Sequence, residues 1–360
     1  MKLRASAVVI GLTLLAPPIR ASDAVRTIHA ELSGADAASF QIENLAGTMR
    51  ILEGTGDLVT VVATVHAESE SLADAVRIER IAGNFESATL RVRYPYDKVS
   101  TFRYQQPGYG GDWSLLGFGS WNTTDYDGHR VRVSHNRGTT LYADLEVRVP
   151  RGRLRASFRQ PVGRVEAEGV QGALHFSVDS ADLRLRGLDG DIVLEGSSGD
   201  IRASDIRGSW KSEFSSGDCR LDGFDGDLFS FQAESGDLAA RDVKARRVRT
   251  ETSSGDVNIS YADVEEFSAQ ASSGDVALRL QGSRLKAIDV TTSSGDVSLR
   301  LPSDEAFDAR ADLSSGDVTI GFSDVTEVRH GRRLLDYQHG TGGASIHVTT
   351  SSGDLTISPI

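Results

Sequence analysis

The chain has 360 residues, 39% hydrophobic, 25% charged and 7% aromatic, which is enough apolar mass for one long domain or two ordinary ones. Its formal net charge of −12 argues against nucleic acid as a partner, because phosphate binding needs a basic field. With 37 Gly, 8 Pro and one Cys, collagen-like and Pro-rich disordered classes, an intramolecular disulfide framework and a Cys-based zinc cluster are all excluded.

Residues 1–21 read as a secretory signal. Lys2 and Arg4 give a positive start, Ala5 to Ala16 an apolar stretch, Pro17 and Pro18 a break, and Ile19-Arg20-Ala21 a cleavage site. That stretch is too short to span a hydrocarbon core of roughly 30 Å. No transmembrane segment is therefore expected after signal cleavage, and the mature chain is expected to be exported, periplasmic or at the cell surface.

Residues 22–150 read as irregular β coils: Phe40 and Ile42, Met49 and Ile51, a Gly56-Asp57 corner, then Val59, Val61, Ala63 and Val65. A loop insertion over 94–138 interrupts them. Tyr94, Tyr96, Phe102, Tyr104, Tyr109, Trp113, Phe118, Trp121 and Tyr126 place nine of the 24 aromatic residues there. Alternation resumes at Leu141, Ala143, Leu145 and Val147.

Residues 151–360 carry the dominant feature, Ser-Ser-Gly-Asp. Its Gly and Asp fall at Gly199, Asp200, Gly217, Asp218, Gly255, Asp256, Gly274, Asp275, Gly295, Asp296, Gly316, Asp317, Gly353 and Asp354. A variant supplies Gly236 and Asp237, and a decayed copy is Ser180-Ala181-Asp182. From Asp182 to Asp317 the steps are 18 to 21 residues, and the last, to Asp354, is a double step filled by an interruption over 323–344. A fixed period of this size marks stacked repeats. On both sides of each Gly-Asp, apolar and polar residues alternate, as in Val257-Asn258-Ile259 and Val248, Thr250, Thr252. Period two means strands with one face buried. Smaller corners at Gly190-Asp191 and Gly226-Asp227 imply a second bend per coil. The fold expected is all-β: a single-chain parallel β-solenoid of about 18–21-residue coils.

These SSGD-V-x-L coils, the strand Leu145-Glu146-Val147-Arg148-Val149-Pro150 and the closing segment from Gly343 to Ile357 resemble the bacterial putative-adhesin family. The resemblance implies an exported or envelope-associated β-solenoid of unknown function, with no established catalytic residues.

Chemistry is harder to read. The Asp residues should line up along the rod, where carboxylates could hold Ca²⁺; equally, Gly supplies the unusual φ and a short Asp bonds backbone N–H groups in a turn. The nine-residue, glycine-richer Ca²⁺ roll repeat is absent, so the row is assigned to turn structure, with no metal and no cofactor. The parity of Thr250 and Thr252 points them inward, against an ice-binding array. Cys219 takes the place of Val257 and Val276 in other coils and is expected to be a buried hydrophobe. Neither G-x-S-x-G, H-E-x-x-H nor a P-loop occurs, and the chain is taken as a non-enzyme. Tyr104, Tyr109, Trp113, Phe118, Trp121 and Tyr126 are the candidate ligand-binding residues, as aromatic faces that stack on sugars or partner surfaces; otherwise the rings cap the solenoid. Two basic clusters, Arg151, Arg153, Arg155, Arg159 and Arg164, and Arg241, Lys244, Arg246, Arg247 and Arg249, could meet anionic envelope polymers. The role expected is adhesin-like binding or scaffolding in the cell envelope, with an envelope polysaccharide or protein as partner. The alternatives are a periplasmic structural or regulatory component of an envelope-stress system and, third, a polysaccharide-active enzyme.

Overall fold

The computed structural model describes residues 24–82, 88–104, 122–282, 284–330 and 334–360; the expected signal segment lies outside them. From residue 154 onward the period-two pattern becomes strands stacked in parallel, coil on coil. Residues 171–186 pair with 189–204, these with 207–222, and so on through 225–241, 244–260 and 263–280. Inward positions of successive coils fall directly over one another. One such column runs Ile192, Trp210, Phe229, Val248, Phe267 and Ile288, all at most 2% exposed. Aromatic rings stack within it, Trp210 on Phe229 at 6.2 Å between centroids. Burial of this continuous core is the main stabilising term, and no coil could supply it alone.

Each coil has two broad faces joined by unequal edges. The SSGD corner forms the narrow edge. The other edge bends twice: at Gly169, Gly187, Asp205, Gly223, Asp242 and Tyr261, all at positive φ, and three residues later at the column Gly172, Gly190, Gly208 and Gly226. Between the two bends, Val170, Leu188, Ile206, Phe224, Val243 and Ala262 point inward and are buried.

At the narrow edge the Gly turn aims the Asp N–H along the stack, where no backbone carbonyl meets it. The carboxylate of the preceding coil does. Asp256 N–H donates to Asp237 Oδ1 (2.9 Å), Asp275 N–H to Asp256 Oδ1 (2.9 Å) and Asp296 N–H to Asp275 Oδ1 (2.8 Å). The ladder extends back through Asp237, Asp218 and Asp200 to Asp182. Asp256→Ala should therefore lose about 1–2 kcal/mol by orphaning the Asp275 N–H. Asp256→Asn keeps the acceptor and removes one charge from a column of like charges; it should be neutral or stabilising, with any gain shrinking in 1 M salt. Urea melts of the two variants check this, and equal losses would mean that the charge, not the acceptor, matters.

Two features depart from the sequence-based expectation. Among the described residues of 22–93, 39–53 form a regular coil that stacks on 154–168, and 88–91 continue the stack in parallel on 40–43. The other expected coils are antiparallel strands: Ala24–Leu32 on Val59–Ala67, that strand on Thr139–Val149, and Arg77–Ala82 on the free edge of Ala88–Arg93. Alternation alone does not distinguish the two arrangements, and antiparallel pairing blunts the open end of a parallel stack. Finally, the step from Asp317 to Asp354 skips no coil. Residues 344–359 lie between coils 287–301 and 307–320, and the interruption contributes a hairpin, Val325–His330 with Leu334–His339, that covers the outer edge of Phe307–Ser315 in antiparallel fashion.

Candidate functional site

The broad face running from the SSGD edge to the double bend carries a row of arginines. Arg184, Arg202 and Arg220 each lie two residues beyond a corner aspartate, and stacking places them in one column on three consecutive coils, about 4.8 Å apart by the strand spacing. Glu166 and then Arg50 continue the column. Beside it a second outward column runs Glu168, Arg186, Ser204, Asp222 and Arg241. Between the two columns lies an open trough of about 570 Å³, lined also by Ala167, Leu185, Ala203 and Leu221.

Like charges stacked this closely repel unless countered. Arg202 is paired with Asp200 (3.2 Å), Arg220 with Asp218 (3.3 Å) and Arg184 with Glu166 (3.7 Å). Each pair is half-exposed and engages one side of a guanidinium that has five N–H donors, so donors remain for a ligand. Arg50 and Arg186 stand on the same face without an ion-pair partner among the described residues. The opposite broad face carries a row of acids, countered in part by Lys211 and Arg249. There Glu195, Glu213, Gln232 and Glu251 form a column beside Glu234, in a trough of about 510 Å³.

Of the two contiguous basic clusters of the sequence, the second is neutralised by neighbouring acids and the first only in part. Arg246 holds the Asp227 carboxyl below the usual carboxylate range through a charged hydrogen bond. Lys244 pairs with Asp225, Arg249 with Glu251 and Arg241 with Asp242. In the first cluster Arg151 meets Glu53, Arg159 donates to the Asp125 carbonyl and Arg164 approaches Glu166.

Tyr104 and Tyr126 correct the aromatic expectation: at 0% and 1% exposure they are core residues and present no face to a ligand. Tyr126 Oη donates to the Val92 carbonyl (2.8 Å) and Tyr94 Oη to Asn44 Oδ1 (2.7 Å). Tyr104 packs edge-on to Tyr142, and burial pushes its phenol up to about 12. Thr101–Arg103 and the hairpin Asn122–Tyr126 with His129–Ser134 form a small sheet that joins Thr139–Val149, so the rings pack against the N-terminal strands. Tyr109, Trp113, Phe118 and Trp121 lie outside the described residues.

The turn residues Gly199 to Asp354 stand in a single column, the carboxylates accepting backbone N–H groups. Among the described residues no group of three His, Cys, Asp or Glu side chains converges to hold a metal ion. Cys219 is buried, its thiol pushed up to about 12 by burial, and Thr250 and Thr252 face inward.

Fold and surface thus define a repeat β-solenoid whose distinguishing features are long charged faces. The chain belongs to the Toastrack DUF4097 family, whose model matches residues 142–358, from the strand Thr139–Val149 to the last coil. A search of curated proteins gives no match. Several solved structures are similar, three of them as follows. A putative lipid binding protein from Parabacteroides distasonis ATCC 8503 shares 16% identity, over 76% of this chain and 96% of that one, at a TM-score of 0.42. A putative adhesin from Bacteroides fragilis NCTC 9343 shares 9%, over 93% and 97%, at 0.34. A putative cell adhesion protein from Clostridium sporogenes ATCC 15579 shares 10%, over 94% and 100%, at 0.21. Among the described residues no helix is long and apolar enough to cross a membrane.

Proposed function

We propose that the chain is an exported, non-catalytic binding scaffold of the cell envelope, and that the arginine-lined trough is its contact for a linear anionic polymer. The observation that carries this reading is the column Arg184, Arg202 and Arg220, on consecutive coils of a protein whose net charge is −12. A polymer lying along the rod meets one guanidinium per coil, on a scaffold that loses little entropy on binding because it is already rigid. The signal-like residues 1–21 support export.

The test is retention on immobilised polygalacturonate and dextran sulfate across a salt gradient. Exposed guanidiniums are screened by salt, so the native chain should elute at moderate ionic strength. The variant R184Q/R202Q/R220Q should bind at least tenfold more weakly, whereas R246Q/R247Q, taken from the neutralised cluster, should bind nearly as the native chain does. Equal losses in the two variants would reduce the effect to net charge, and unaltered binding by the triple variant would remove the trough from the function. Mass spectrometry of protein recovered from the envelope fraction should find Ser22 at the mature N-terminus; an intact Met1 would overturn export.

A further inference from the structure

The coil that follows 287–301 in space is formed by residues 344–359, which come after 307–320 in the sequence. Ser345–Ser352 pairs with 287–294 on one side, and Ala344–Ser352 with Phe307–Ser315 on the other. Likewise 355–359 pairs with Val297–Leu301, and 355–357 with Val318–Ile320. The segment is locked from both sides. Gly295 N–H donates to the Ser352 carbonyl (3.1 Å), Val297 N–H to that of Asp354 (2.8 Å), Leu355 N–H to that of Asp317 (2.9 Å) and Ile360 N–H to that of Leu301 (2.8 Å). The aspartate ladder passes through it, Asp354 N–H to Asp296 Oδ1 and Asp317 N–H to Asp354 Oδ1, both 2.8 Å. Ile346, Val348, Leu355 and Ile357 are at most 1% exposed.

Two consequences follow from this order. Coils 287–301 and 307–320 present facing, unpaired strand edges until residues 344–360 arrive, and unpaired edges are templates for another strand. The walls of the slot are themselves SSGD coils. They recognise an occupant by ladder hydrogen bonds, one corner carboxylate and inward apolar residues, none of which tells the chain's own segment from that of a second copy. The segment is tethered through Gly340-Thr341-Gly342-Gly343, an exposed bend with Gly340 and Gly342 at φ 72° and 68°.

We propose that residues 344–360 are an exchangeable coil: the slot of one molecule accepts this segment of a second copy, and reciprocal exchange closes a domain-swapped dimer. Every contact inside the slot is the same in monomer and dimer. Concentration during folding and the conformation of the 340–343 hinge therefore set the balance between them.

Ser298 and Thr356 face each other across the slot on neighbouring strands, within disulfide reach by the strand spacing. The full chain carrying S298C/T356C is refolded from denaturant when dilute and when concentrated, and then oxidised. The native Cys219 does not interfere, being buried and held as the thiol. Dilute refolding should give the intramolecular link. Concentrated refolding should convert a substantial fraction into a covalent dimer joined 298 to 356, and deleting Thr341 and Gly342 should raise that fraction several-fold, because a shortened hinge disfavours self-insertion. Natively refolded protein with only intramolecular links at every concentration would overturn the proposal. Should the double-cysteine chain not refold, a labelled 341–360 peptide added during refolding of the native chain decides the matter. Co-elution with the folded chain, competed by unlabelled peptide, supports exchange; exclusion of the peptide overturns it.

Discussion

Gly255→Ala is expected to lower stability by about 4 kcal/mol or more, a size reached only when a substitution collides with structure that cannot move. A Cβ on Gly255 would lie 2.2 Å from the Gly236 carbonyl oxygen, 2.7 Å from its carbon and 3.2 Å from its nitrogen, all backbone atoms. Residue 255 also sits at φ 141°, outside the region an L side chain adopts without strain. Neither coil can retreat, because ladder hydrogen bonds on both broad faces hold the spacing. The same column offers its own control. Ala181 occupies the corner of the decayed repeat, in register with Gly163, and is not at positive φ. Ala181→Gly should cost only about 1–2 kcal/mol, from added chain entropy and the loss of one buried methyl, with no steric clash. Urea unfolding of both variants gives the comparison, and a loss below 1 kcal/mol for Gly255→Ala would mean the corner backbone adapts.

The corner is also where the sequence is most legible. Ser-Ser-Gly-Asp at steps of 18 to 21 residues, with period-two flanks, specifies strand, turn and inward face together, since each requirement excludes other folds. The order of the coils is not legible in the same way. Asp317 and Asp354 sit in near-identical motifs, and a ladder that accepts any SSGD segment encodes no rank along the stack, so an interval of 37 reads equally as a skipped coil or as an insertion. The arginine column was present as a signal, because Arg184, Arg202 and Arg220 each stand two residues after a corner aspartate. It emerges only when coils are aligned in register; read linearly, the denser run from Arg241 to Arg249 stands out, although acids one coil earlier neutralise most of it. The burial of Tyr104 and Tyr126 is not legible, because an aromatic-rich, glycine-rich stretch has the composition of a binding loop whether its rings face solvent or core. Only the pairing of Thr101–Arg103 and Asn122–Tyr126 with neighbouring strands decides that they face the core.

The hairpin bearing Tyr126 is latched to the N-terminal sheet by charge, and removal of that latch is the second substitution expected to have a large effect. Arg91 reaches Glu43 (2.5 Å) and Asp127 (2.6 Å), both carboxylates being only 6% exposed, and Arg93 bridges Asp127 (2.9 Å) to the more exposed Glu79 (2.7 Å). The two carboxylates hold the Arg91 guanidinium firmly in its charged form, against the opposing effect of burial. Arg91→Leu fills much of the volume yet leaves Glu43 without its cation and Asp127 with Arg93 alone. Breaking a buried pair from one side typically costs 3–5 kcal/mol, and about 3 kcal/mol is expected here because Arg93 remains. A second substitution distinguishes this cause from lost packing. Arg91→Leu/Glu43→Leu, which removes the stranded charge as well, should recover at least half of the loss at pH 7. No recovery in the double variant, read by urea unfolding at pH 7, would show that Arg91 acts through packing of its stem and not through its charge.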